Sequence, residues 1–223
     1  MYFLLAFIFF ATLFIGLALV AAFIFGPRTW RTMRRRSLRV YLGWLVIYFL
    51  FIFFGTGPVG ARLYVSPESS PYKLPWEAGV SRFVSQGNRS FTSHRGLHLY
   101  AWDFWMPIGT KILAAREGNV QKIEQDFDGI GLNSNYVVIE HSDGTHALYA
   151  HIKKGGALVH VGDHVIQGQA IAYSGMVGQT INPHLHFVVL NKEETASLPI
   201  TFSDVSDEVP LAGRFYKSGN VVY

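Results

Sequence analysis

His184 and His186, in the run Asn182-Pro183-His184-Leu185-His186-Phe187, are two positions apart and on a strand would project from one face, about 6.5 Å from each other. At that spacing one imidazole can ligate a metal ion while the other reaches toward a substrate held on that ion. Upstream residues supply companions. His94, His98 and Asp103 precede a Pro107-Ile108-Gly109 turn, and His151 follows Tyr149-Ala150. A His-x-His pair alone more often marks an ordinary strand than a metal site; the full set, with its aspartate, reverses that weighting.

The chain has no cysteine, so disulfides and thiolate ligands are both excluded and any zinc must be held by histidine and carboxylate. A catalytic zinc takes three protein ligands and keeps a fourth position for water, whose pKa falls to about 7. Two histidines and one aspartate supply such a set. Two further histidines then remain to accept the water's proton and to steady the oxyanion formed when a carbonyl is attacked. His141, His146, His160 and His164 are read as surface or turn residues. His146 lies five positions before His151, and strand alternation puts it on the opposite side. Trp102 and Trp105 flank Asp103 and are read first as core residues, second as walls of a substrate groove.

The elements that must position these groups are strands. From about Lys73 onward, short β-branched and aromatic runs alternate with glycine turns and few stretches repeat at helical period, which predicts a mainly β domain of twisted antiparallel sheets. Asp143-Gly144, between residues 136–140 and 145–151, is a hairpin signal that returns the chain toward His151. Glycine turns at 107–109, 117–119, 161–163 and 166–169 bracket expected strands at 111–115, 119–125 and 169–174. Residues 184–190 form another, with His184, His186 and Val188 on a groove face and Leu185, Phe187 and Val189 on a core face. The tail 210–216 is too apolar to stay unpacked, and is expected to lie on the domain.

The front of the chain is different material. Residues 1–27 carry no charge and as a helix would be about 40 Å long, enough to span a bilayer with tilt. A second uncharged run gives a second transmembrane helix at 40–58. Between them, residues 28–39 hold Arg28, Arg31, Arg34, Arg35, Arg36 and Arg39. The basic cluster follows the first apolar run, whereas a signal peptide would have it in front. The positive-inside rule keeps this Arg-rich loop in the cytoplasm and puts the C-terminal domain outside. Residues 59–72, rich in Pro and Ser, are a linker, and 73–223 the outer domain. The Arg cluster also accounts for the formal charge of +4, since the rest of the chain is net acidic; a nucleic-acid partner is therefore not expected.

In combination and order these residues resemble the lysostaphin/LytM-type zinc metallopeptidases, which cleave peptide cross-links of bacterial cell walls. The resemblance covers roughly residues 73–200. It is carried by Gln86-Gly87, Ser93-His94, Tyr100-Ala101-Trp102-Asp103-Phe104 and Met106-Pro107-Ile108-Gly109-Thr110, which runs into Ala114-Ala115-Arg116-Glu117-Gly118-Asn119-Val120. Tyr149-Ala150-His151, Val161-Gly162-Asp163, Gly168-Gln169, Ser174-Gly175 and the Pro183-His184-Leu185-His186-Phe187 run continue it. The resemblance implies Asp103 and His186 as zinc ligands with His94 as the third, His98 being the alternative, and His151 and His184 as catalytic histidines. It implies an antiparallel lysostaphin/LytM-like fold and hydrolysis of peptidoglycan stem peptides or cross-bridges by attack of zinc-bound water. The setting it implies is the bacterial inner membrane, with the domain extracytoplasmic or periplasmic. Two other readings stay open: a non-catalytic LytM-like module that regulates other wall hydrolases, and a zinc peptidase acting on a non-wall peptide.

Overall fold

The computed structural model describes residues 69–90, 92–207 and 209–222, together with the helical residues Arg39, Leu42, Gly43 and Val46. Nearly all of the expected membrane helices 1–27 and 40–58, and of the Arg-rich loop and linker, lies outside the described residues. Among the described residues, no helix is long and apolar enough to cross a membrane.

The C-terminal domain is mainly antiparallel β. Its strands are β1 (Ser81–Gln86), β2 (Trp102–Trp105), β3 (Lys111–Leu113), β4 (Gly118–Glu124), β5 (Tyr136–Glu140), β6 (His146–Ala150), β7 (Ile152–Ala157), β8 (His164–Val165), β9 (Ala170–Ser174), β10 (His184–Leu190) and β11 (Phe215–Lys217). Eight of them form one sheet in the order β11-β1-β2-β10-β6-β5-β4-β8, and β3-β9-β7 form a second. A 3-10 turn, Gly96–His98, precedes β2.

Alternation sorts the large sheet into two faces. In the register of β10 with β2 and β6, Leu185 faces Phe104, while Phe187 faces Trp102 on one side and Tyr149 on the other. These side chains are fully buried and share the core with Ile112, Ile152, Ile171 and Ala172 of the small sheet. The core therefore sits between the sheets, and the opposite face of the large sheet is left to form a groove. That face carries Asp103, His184 and His186, with Leu148 and Ala150 beside them.

Several expectations are corrected by the packing. His184–Val189 is buried on both faces, because β10 is central in the sheet and the loops that wall the groove cover its outer side. The observed strands stop short of the expected ones at Leu113 and Glu124. His141 and His146 are buried, at 2% and 4% exposure, not surface residues. His141 Nδ1–H donates to the Glu117 carbonyl at 2.7 Å, and burial with no partner for Nε2 keeps its pKa down at about 4. His160 and His164 are exposed. Packing also begins before Lys73: Tyr72 is fully buried and Ser70 Oγ–H donates to the Thr201 carbonyl at 2.6 Å. At the other end, Trp102 Nε1–H donates to the Pro210 carbonyl at 3.0 Å, and β11 pairs with β1, so the tail does pack on the domain.

Candidate active site

Adjacent strands deliver the central groups. β2 supplies Asp103, which lies opposite His186 of β10 in the sheet register, and His184 follows on the same face. His94 comes from the loop between β1 and β2, and is fully buried. One ligating atom each from His94, Asp103 and His186 falls within a 4.8 Å cluster, an arrangement that could hold a metal ion.

Asp103 Oδ1 is the point of convergence. His186 Nδ1 lies 2.8 Å from it, His94 Nε2 3.2 Å and His184 Nε2 3.5 Å. Two of these rings have already committed their other nitrogen as a donor: His94 Nδ1–H to the Gly87 carbonyl at 2.7 Å, and His184 Nδ1–H to the Asn182 carbonyl at 2.8 Å. In the neutral tautomer their Nε2 atoms therefore aim lone pairs at a carboxylate oxygen. Lone pairs facing each other in a buried site require a cation among them, either a proton or a metal. Burial alone would push the Asp103 carboxyl up; the charges of His184 and His94 and hydrogen bonds from His186 and His94 outweigh it, and hold the group well below the usual carboxylate range. Burial pushes His186 down to about 4, with the Asp103 interaction opposing. An aspartate carboxylate among imidazoles, with no thiolate, is a donor set suited to zinc.

His98 is brought to the same site in a different relation. Its Nδ1 lies 2.9 Å from His186 Nε2, the nitrogen that points away from Asp103. It is thus an outer partner of the His186 ring, while His94 occupies the inner position.

His151 stands alone between β6 of the large sheet and β7 of the small one, in the left-handed region at φ +64°. That conformation is uncommon for a residue with a side chain, and it breaks the alternation of β6. His146 consequently shares the groove face with Leu148 and Ala150, not the side opposite His151. The His151 ring is 4.6 Å from that of His184, centroid to centroid. Its Nδ1–H donates to the Val177 carbonyl at 2.7 Å, with Ser134 Oγ 3.1 Å away. Burial and the neighbouring charge of His184 lower its pKa to about 4.

Ser134, Thr180, and the carbonyls of Val177 and Asn182 thus orient the two outer histidines. Thr180 Oγ lies 3.2 Å from His184 Nδ1. Sequence reading found none of these roles. Carbonyl donation has no side-chain signature, and Ser134 lies in a loop without a motif. The groove, of about 820 Å³, runs past these residues along Tyr136, Val138 and Leu148 toward Lys122 and Glu194. Trp102 is core, whereas Trp105 is 43% exposed.

Residues 96–198 match the family model described as Peptidase family M23; the match takes in Asp103, His151, His184 and His186 and starts just after His94. The chain is 38% identical over 98 residues to the peptidoglycan DD-endopeptidase ShyC of Vibrio cholerae serotype O1, covering 44% of this chain and 20% of that protein. It is 39% identical over 117 residues to lysostaphin of Staphylococcus simulans, covering 52% of this chain and 22% of that protein. The matched region thus spans about a fifth of the length of these curated relatives. Among solved structures, the catalytic domain of lysostaphin from Staphylococcus simulans aligns with a TM-score of 0.40 and 29% identity, covering 57% of this chain and 85% of that one.

Proposed function

We propose, from the premise that this chain carries a domain of peptidase family M23, that it is a membrane-anchored zinc endopeptidase that hydrolyses peptide bonds in peptidoglycan stem peptides or cross-bridges. The single observation that carries the reading is the convergence of His94, His184 and His186 on one oxygen of buried Asp103. His94, Asp103 and His186 would hold the metal. A bound zinc supplies Lewis acidity, which acidifies water and polarises the carbonyl to be attacked.

His151 and His184 supply the proton chemistry. Each commits Nδ1–H to a backbone carbonyl, so each presents Nε2 as a proton acceptor. With its pKa near 4, His151 is neutral at pH 7 and able to accept. A ring that has taken a proton becomes a donor at Nε2 and can steady the oxyanion, then return the proton to the leaving amine. The charge of His184 lowers the pKa of His151, so the pair favours carrying one proton at a time. The open groove along β5 and β6 leaves room for an extended peptide on either side of the scissile bond.

The membrane anchor rests on the uncharged runs 1–27 and 40–58 and the Arg-rich stretch between them. It would keep the domain at the outer face of the cytoplasmic membrane, near the wall. The test is release of new peptide ends from purified peptidoglycan by the full chain in detergent micelles. Chelation should abolish release and added zinc restore it. Release that is indifferent to chelation would reject the reading.

A further inference from the structure

Strand β1 meets β2 with an irregularity. Val84 lies opposite Phe104, but Gln86, not Ser85, lies opposite Asp103. One extra residue has been inserted, and such a bulge re-aims the side chains that follow it. Without it Gln86 would face Trp102 and the core. With it, Gln86 stands on the groove face beside Asp103, and Ser85 Oγ–H donates to the Asp103 backbone carbonyl at 3.1 Å.

Gln86 Nε2–H donates to Asp103 Oδ2 at 2.8 Å, the carboxylate oxygen on which the histidines do not converge. The other end of the amide is held as well. Gln86 Oε1 accepts hydroxyls from Ser90 at 2.7 Å, from Ser93 at 3.1 Å and from Thr92. Three hydroxyls on the oxygen fix which way the amide faces, because a flipped amide would set its oxygen against the carboxylate. The next residue completes the arrangement, since the Gly87 carbonyl is what His94 Nδ1–H donates to.

We propose that Gln86 is a positioning residue for the metal site. Its locked amide ties down Asp103 Oδ2 and leaves Oδ1 as the oxygen presented to the ion. With the Gly87 carbonyl, one dipeptide at the end of β1 orients two of the three ligands. The proposal rests on the zinc reading above, and deepens it. Partners that orient ligands without touching the metal typically contribute 10–100-fold in metal affinity, and a carboxylate free to rotate gives up that fraction.

The experiment measures zinc affinity by chelator competition on the full chain in detergent, beside the unfolding temperature of the metal-free protein. Gln86→Met keeps the length and removes the amide. The expected result is zinc binding weaker by roughly 10–100-fold with the metal-free unfolding temperature unchanged, and an altered visible spectrum of the cobalt-loaded protein. A companion, Ser90→Ala with Thr92→Val and Ser93→Ala, keeps the amide but removes all three hydroxyls that fix its orientation, and is expected to lose a smaller part of the affinity. Affinity within about threefold of the parent in Gln86→Met overturns the proposal, as does a loss matched by an equal fall in metal-free stability. Should Gln86→Met not fold, undiminished affinity in the companion overturns it. A parent that binds no zinc removes the zinc reading itself, and the proposal with it.

Discussion

Asp103 is the residue on which the account turns. It is buried, ionised and surrounded by imidazoles, an environment that is costly unless a cation is shared among them. Residue types and spacing single out two strand histidines, an aspartate and upstream histidines as a candidate site, while their separate roles come from the family resemblance. What spacing could not resolve was His94 against His98, because both precede Asp103 within a loop. The fold separates them by placing His98 on the far nitrogen of His186. His151 gives the sharpest test at this scale, since its left-handed backbone and its imidazole can be separated. His151→Gly relieves about 1 kcal/mol of backbone strain while losing a hydrogen bond of similar worth. Its stability should stay within about 1 kcal/mol of the parent, while hydrolysis falls by roughly 10²–10⁴. His151→Ala should be equally inactive and less stable. Unfolding midpoints set beside rates of peptide release check this, and an active glycine variant would contradict the role.

At the scale of elements, the hairpin from β5 to β6 was readable because Asp143-Gly144 is a chemical signal for a turn; Gly144 indeed adopts φ +79°. The bulge in β1 was not, since nothing in Ser85-Gln86 marks an inserted residue. Nor was the burial of His141, which opens the hairpin turn and looked like a turn residue; Tyr72 from the linker packs against its ring edge-on and closes it from solvent. That burial has a pH signature. The folded pKa of His141, about 4, is below the unfolded value of about 6.5. The unfolded chain therefore binds the proton first, and the stability contributed by the neutral ring is present above pH 6.5 and lost as pH falls toward 4. Between pH 7 and pH 5 the loss is about 2 kcal/mol. His141→Asn keeps a donor for the Glu117 carbonyl and does not titrate, so chemical unfolding should show a smaller loss over that interval. Equal losses in parent and variant would contradict the assignment.

Across the whole molecule, the tail closes the β1 edge, so the far end of the chain supports the strand that ends in Gln86-Gly87. Asn220 extends this tie, its Nδ2–H donating to the carbonyls of Leu74 and Ala114 at 3.1 Å. Long-range ties of this kind have no local sequence pattern, which is why the tail could be expected to pack but not where. The proposed membrane anchor is the opposite case, since it rests on composition alone. On the proposed topology the full chain should stay with the membrane pellet through high-salt and carbonate washes, and protease added outside intact spheroplasts should remove the domain. Extraction by carbonate, or protection until lysis, would contradict the anchor or its orientation. The most direct test of the central claim is digestion of purified peptidoglycan by the zinc-loaded full chain and by His186→Ala, with the released fragments identified by mass. The account predicts new peptide termini at a single type of bond from the parent and none from the variant. Intact wall peptides after exposure to a parent that holds zinc, or identical fragments from both proteins, would contradict it.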